Sequence, residues 1–139
     1  MQICFEVPGQ PRGKGRPRFA RRGNFVKTYT DAKTVGYEDQ VRIYARQAMG
    51  SSEPLKGPLE AAIYIRLSVP KSYPKKRVAD CLSGLEWPSK KPDWDNVAKS
   101  ICDGMESIIF VCDSQIVECH VRKVYAETAG VDVLIKEKE

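Results

Sequence analysis

A single histidine, His120, is the scarcest chemistry-bearing residue in this 139-residue chain, and its isolation excludes a zinc centre built on paired histidines. A Ser-His-Asp arrangement could run only through that one imidazole, and nothing else supports it. The five cysteines (Cys4, Cys81, Cys102, Cys112, Cys119) are odd in number and contain no C-x-x-C pair, so they read as reduced small hydrophobes rather than as a disulfide framework or a metal cage. There is no apolar run long enough to span a membrane, no internal repeat and no low-complexity tract, and no signal or transit segment is expected. The expectation is a cytoplasmic protein with no membrane partner.

Negative charge is missing from one stretch in particular. Between Glu6 and Asp31 stand Arg12, Lys14, Arg16, Arg18, Arg21, Arg22 and Lys27 with no acidic residue among them. An isolated charge run is most often a solvated loop. This one is interrupted by Pro8, Pro11, Pro17 and several glycines, with Phe19 and Phe25 interleaved, which suits a loop that tracks phosphates and stacks on a base. The whole chain carries a net charge of +5 and a pI near 9.0, which favours a polyanionic partner. At 42% hydrophobic content and this length, one domain spanning residues 1–139 can bury its own core.

Periodicity marks the elements. Ile3, Phe5 and Val7 alternate in a short first strand that ends at Pro8-Gly9. Tyr37, Val41, Tyr44, Ala45 and Ala48 follow helical spacing after a cap at Thr30 or Asp31, with Gly50 as the stop. Leu59, Ala61, Ile63, Ile65, Leu67 and Val69 occupy every odd position of a second strand. Residues 70–92, rich in proline and lysine, read as a loop with one helical turn near Lys75 to Leu82. Val97, Ile101, Met105 and Ile108 define a second helix. Val117, Cys119 and Val121, a turn at Thr128-Ala129-Gly130, and then Val131, Val133 and Ile135 predict a closing hairpin. The order predicts an α+β fold, with a mixed or mostly antiparallel sheet and two main helices.

The chemistry concentrates in Asp93-Trp94-Asp95-Asn96, Lys99, Asp103 and Asp113-Ser114-Gln115. Three carboxylates, Asp93, Asp95 and Asp113, are what a hard cation such as Mg²⁺ requires, because it prefers oxygen ligands and keeps waters for substrate phosphates. Each piece has a plain structural explanation. On that explanation Asp95 would be a helix N-cap, Lys99 would pair with Asp95 and Asp103 along one helical face, and Asp113 would be an ordinary turn aspartate. That account leaves Asp93 unexplained. A D-x-D pair also occurs in glycosyltransferases and aspartyl phosphatases. The polar Ser89-Lys90-Lys91-Pro92 before it does not fit the buried strand of the phosphatases, and a sugar transferase needs a larger chain.

Taken jointly, Asp93-Trp94-Asp95-Asn96, Lys99, Asp103 and Asp113-Ser114-Gln115-Ile116, with Pro8-Gly9-Gln10-Pro11, Lys14, Arg16, Pro17, Arg18 and Thr28-Tyr29 upstream, resemble the RusA family of Holliday-junction resolvases over most of the chain. The resemblance implies a homodimer, encoded by a bacterium or phage, that uses Mg²⁺ to make paired nicks in four-way DNA junctions, with Mn²⁺ as a substitute. It implies Asp93, Asp95 and Asp113 as metal-binding carboxylates and Lys99 as the essential lysine, and leaves Asp103 without an assigned role. The family often has two consecutive aspartates where this chain has Cys112-Asp113. The expected DNA contacts are Lys14, Arg16, Arg18, Arg21, Arg22, Lys27, Lys75, Lys76 and Arg77, with branched DNA as partner and no small-molecule substrate. The competing interpretations are a non-catalytic basic nucleic-acid-binding protein and a phosphohydrolase acting on small substrates.

Overall fold

The structure is a computed structural model that describes the backbone at residues 1–14, 18–22, 25–29 and 32–139, and the side chains at 1–14 and 36–139. Its elements are β1 (Gln2–Pro8), β2 (Arg18–Arg22), β3 (Phe25–Tyr29), α1 (Ala32–Met49), β4 (Leu59–Ser68), α2 (Lys75–Ser83), α3 (Trp94–Met105), a 3-10 turn (Asp113–Gln115), β5 (Ile116–Ala126) and β6 (Gly130–Glu137). The fold is α+β. Four strands form a mixed sheet in the order β1-β6-β4-β5, antiparallel except between β4 and β5, while β2 and β3 form a separate two-stranded ribbon.

The alternation along β4 works as expected at Leu59, Ala61, Ile63, Ile65 and Leu67, all buried, whereas Val69 lies past the end of the strand at Ser68 and is half-buried. They meet Ile3 and Val7 of β1, Val131, Val133 and Ile135 of β6, and a helical layer supplied by Tyr37, Val41 and Ala45 of α1 and by Val97, Ile101 and Met105 of α3. Burying those apolar side chains is the main drive for the fold. The two helices approach closely at Gly104, where an added Cβ would lie 2.5 Å from the Cβ of Val41, so a side chain there would force them apart. At Gly50 the chain turns out of α1 with φ of +58°, a conformation that a Cβ disfavours. The proposed helix cap at Thr30 or Asp31 lies outside the described residues.

Three sequence expectations change. The last two strands are not a hairpin: β4 lies between them, pairing parallel with β5 on one side and antiparallel with β6 on the other. Alternation specifies which face a strand buries but not its neighbour. A register shift opposite Leu59 and Glu60 leaves Val117 between paired residues and 61% exposed, so it is not a core residue. The region after Pro8 is not all loop, because β2 and β3 pair with Arg22 opposite Phe25. The Gly-Asn dipeptide between them is a two-residue hairpin signal that the density of positive charge obscured. The helical turn near Lys75 is a nine-residue helix ending at Gly84 in the left-handed conformation, a third helix among the described residues. No helix among them is long and apolar enough to cross a membrane.

Candidate active site

With Val97, Ile101 and Met105 of α3 fully buried, the 3.6-residue period sends Asp95, Lys99 and Asp103 to the opposite side. The N-cap position falls on Asp93 rather than Asp95. The Asp93 carbonyl accepts the Val97 N–H at 3.1 Å, but its carboxylate makes no capping hydrogen bond. Asp95 sits in the first turn, where the helix dipole favours negative charge. Neither carboxylate has an ion-pair partner among the described residues, and both are exposed to an open cleft of about 620 Å³ lined also by Lys90, Lys91, Trp94 and Lys123. Lys123 Nζ donates to the Lys90 carbonyl at 2.6 Å and Lys90 Nζ to the Tyr73 hydroxyl at 3.3 Å, which ties this wall to β5.

Asp113 opens the 3-10 turn before β5, and Gln115 holds that turn in place. The Gln115 Oε1 accepts the N–H groups of Val111 and Cys112 at 2.9 and 3.0 Å, while its Nε2 donates to the carbonyls of Leu55 and Gly57 at 2.9 and 3.0 Å. Thus fixed, Asp113 receives Lys99 Nζ on Oδ2 at 3.0 Å. The same ammonium lies 3.1 Å from Asp103 Oδ1. Asp103 Oδ2 in turn binds Lys14 Nζ at 2.6 Å, and Lys14 reaches Glu38 of α1 at 3.0 Å. The result is a row of alternating charges, Glu38, Lys14, Asp103, Lys99, Asp113, contributed by four separate parts of the chain.

Hydrogen bonds to Asp113 and then Asp103 raise the Lys99 ammonium above its ordinary pKa. Lys14 is raised mainly by its hydrogen bond to Asp103. Burial acts to raise the Asp103 carboxyl, but the bonds from Lys14 and Lys99 outweigh it and hold the group below its ordinary value. Both lysines are therefore fixed cations at neutral pH. Burial pushes the nearby Cys102 thiol up to about 12, so it is not a nucleophile.

Sequence reasoning missed three contributors. Glu38, 8% exposed, carries no motif, and Gln115 stands out in the sequence only as part of a signature. Glu106, the residue that ends α3, places a carboxylate oxygen with Cys112 Sγ and an Asp113 oxygen in a trio of donor atoms within 4.8 Å of one another. Asp93 and Asp95 do not belong to that trio, and a second such trio, Glu60, Glu118 and His120, spans β4 and β5. Asp93 and Asp95, both exposed, and the half-buried Asp113 offer oxygen donors, which suit Mg²⁺ or Mn²⁺ rather than a soft metal.

Among the expected DNA contacts, Lys14 is instead committed to Asp103 and Glu38, and Arg77 forms a two-pronged pair with Glu86 while stacking 3.6 Å from the Tyr73 ring centre. Lys75 and Lys76 are exposed in the first turn of α2, which holds no acidic residue. Arg16 lies outside the described residues; Arg18, Arg21, Arg22 and Lys27 are placed on β2 and β3 by backbone only. The approach to that ribbon is docked on α3: Lys14 N–H donates to the Asn96 carbonyl at 2.9 Å, and a Cβ at Gly13 would come within 3.0 Å of Asn96 Cβ. The basic run thus departs from the helix that carries Asp93, Asp95 and Lys99.

The fold and this site define a small α+β protein in which carboxylates and lysines from four parts of the chain meet along α3, with a basic two-stranded ribbon following Lys14 in sequence. Residues 8–136 match the endodeoxyribonuclease RusA family, and the chain belongs to that family, whose nucleases are in general metal-dependent. The chain is also 34% identical over 137 residues to the uncharacterized protein YqaN of Bacillus subtilis (strain 168), covering 97% of this chain and 96% of that one.

Proposed function

We propose that this protein is a Mg²⁺-dependent, structure-selective endodeoxyribonuclease that binds four-way DNA junctions as a homodimer and resolves them by paired symmetric nicks, in recombination and repair. The observation that carries this is the hold on Lys99, whose ammonium is fixed between Asp113 and Asp103 on the same helix as two carboxylates with no capping duty.

Asp93, Asp95 and Asp113 would hold the metal, with Mn²⁺ as a substitute. When bound, it supplies Lewis-acid polarisation of the phosphate and a more acidic water. Lys99, kept cationic by its two aspartates, stabilises charge developing on the scissile phosphate and does not act as a base. Asp103 aims Lys99, Lys14 and Glu38 steady Asp103, and Gln115 sets the position of Asp113. The basic ribbon and the exposed Lys75 and Lys76 supply phosphate contacts that bring affinity without sequence information. A four-way junction is two-fold symmetric, and a C2 dimer offers two equivalent sites to its opposed strands.

The second reading, a non-catalytic DNA-binding protein, draws support from Lys99 and Lys14 already neutralising Asp113 and Asp103. A labelled four-way junction and a matched duplex, each incubated with protein in Mg²⁺ or EDTA, separate the two. The expected result is symmetric nicking of the junction alone, in Mg²⁺ alone, abolished by Asp93→Asn, Asp95→Asn or Asp113→Asn with binding retained. Junction binding without cleavage by the parental protein would select the second reading.

A further inference from the structure

Trp94 is the first residue of α3, and nothing in the packing accounts for it. Indoles usually bury most of their large area. Trp94 is 58% exposed and stays outside the core that Val97, Ile101 and Met105 join along the same helix. Helical side chains tilt toward the N-terminus, and at the first position there is no preceding turn for the ring to cover. The indole therefore stands on the wall of the open cleft, between Asp93 and Asp95 in sequence and in company with Lys90, Lys91 and Lys123.

That wall has two chemistries. Ammonium groups suit phosphate oxygens, while a flat π face suits something planar, and a nucleotide presents both. A folded protein partner fits poorly, because interface cores are depleted of charge and this ring is surrounded by it. The cleft's 620 Å³ falls within the roughly 300–1,000 Å³ of ordinary ligand sites.

We propose that Trp94 forms a base-stacking subsite: its indole takes an unpaired nucleobase of the strand whose phosphate lies against Asp93 and Asp95. The identity of that strand rests on the nuclease reading above; the stacking itself does not require cleavage. Unstacking a base costs least where pairing or stacking is already interrupted, so a discontinuity in the duplex is where the ring gains most.

The chain has two tryptophans, so Trp87→Phe leaves Trp94 as the sole indole, and it spares the cleft because Trp87 lies on a different pocket wall, beside α2. In EDTA, this protein is titrated with oligothymidylate and with an abasic oligonucleotide of the same length. Emission should be quenched by the first and much less by the second. In the otherwise native chain, Trp94→Ala should weaken oligothymidylate and junction binding roughly 5- to 150-fold, and Trp94→Phe should recover most of it. Equal quenching by the abasic strand, parental affinity in Trp94→Ala, or a smaller sedimenting species for that variant would each overturn the proposal, the last by placing the ring between copies of the chain. Base-dependent quenching in a protein that never cleaves in Mg²⁺ would uphold the subsite and overturn the nuclease reading.

Discussion

Lys14 Nζ lies 2.6 Å from Asp103 Oδ2, joining the start of the basic run to the last turns of α3. The pair, with Glu38, is largely shielded, the three side chains being 27%, 17% and 10% exposed. Lys14→Met takes from Glu38 its ion-pair partner and leaves Asp103 with Lys99 alone, and removing one partner of a buried pair costs roughly 3–5 kcal/mol. We expect a loss toward the lower end of that range in denaturant unfolding, with the salt dependence of DNA binding unchanged. A salt slope lowered by about one unit would instead make Lys14 a phosphate contact. The pH signs follow from the same pairs. Asp103 is held below its ordinary 3.8, so its contribution is present above that pH and lost as pH falls through its folded value. Lys14 is raised above 10.5, so its contribution is present below that pH and lost as pH rises through its folded value. Asp103→Asn should flatten the acid arm of a stability-against-pH curve.

The basic ribbon is the part that should govern affinity. Replacing Arg16, Arg18, Arg21 and Arg22 together with glutamine should weaken junction binding and reduce the slope of log K against log salt by about one unit per lost phosphate contact. Single substitutions should change little. A slope identical to the parent's, measured by titration at several salt concentrations, would make the ribbon a solvated element with no part in binding.

Much of the scaffold was legible because it is local. The apolar spacings of α1, β4 and α3 report which face is buried, and these elements form where the spacing puts them. Strand order was not legible, since the pattern of β5 is equally compatible with β4 or β6 as neighbour. The D-x-D and Asp113 segments stood out as motifs, but the pairing that organises the site did not: Lys14 and Asp103 are 89 residues apart, and charge alone does not say which lysine meets which aspartate. Glu38 was hidden for the same reason, being one acidic residue on a helix read for its apolar face.

Gln115 makes four hydrogen bonds that fix the turn carrying Asp113. Gln115→Glu keeps the shape but sets a carboxylate against the Leu55 and Gly57 carbonyls, which can only accept. We expect single-turnover cleavage to fall about tenfold or more in this variant, with half-saturation moved to higher Mg²⁺ and junction affinity unchanged, as for outer partners that orient a metal ligand. A lower melting temperature with an unshifted Mg²⁺ titration would reduce Gln115 to a structural clamp.

Lys99 is the sharpest test of the site. As a surface ion-pair partner alone, 53% exposed, it would contribute no more than about 1 kcal/mol to stability, and Lys99→Ala would cleave at nearly the parental rate. As the cation that meets charge on the phosphate, its loss should slow cleavage by roughly two orders of magnitude or more, with binding and melting temperature little changed. Lys99→Arg should recover little, because a planar guanidinium cannot place its charge where a compact ammonium sits between Asp103 and Asp113. Asp103→Asn keeps Lys99 and its bond to Asp113, so it should fall between the parent and Lys99→Ala. Single-turnover rates under saturating protein decide the matter, and a Lys99→Ala rate within a few-fold of the parent would return the residue to the helix surface.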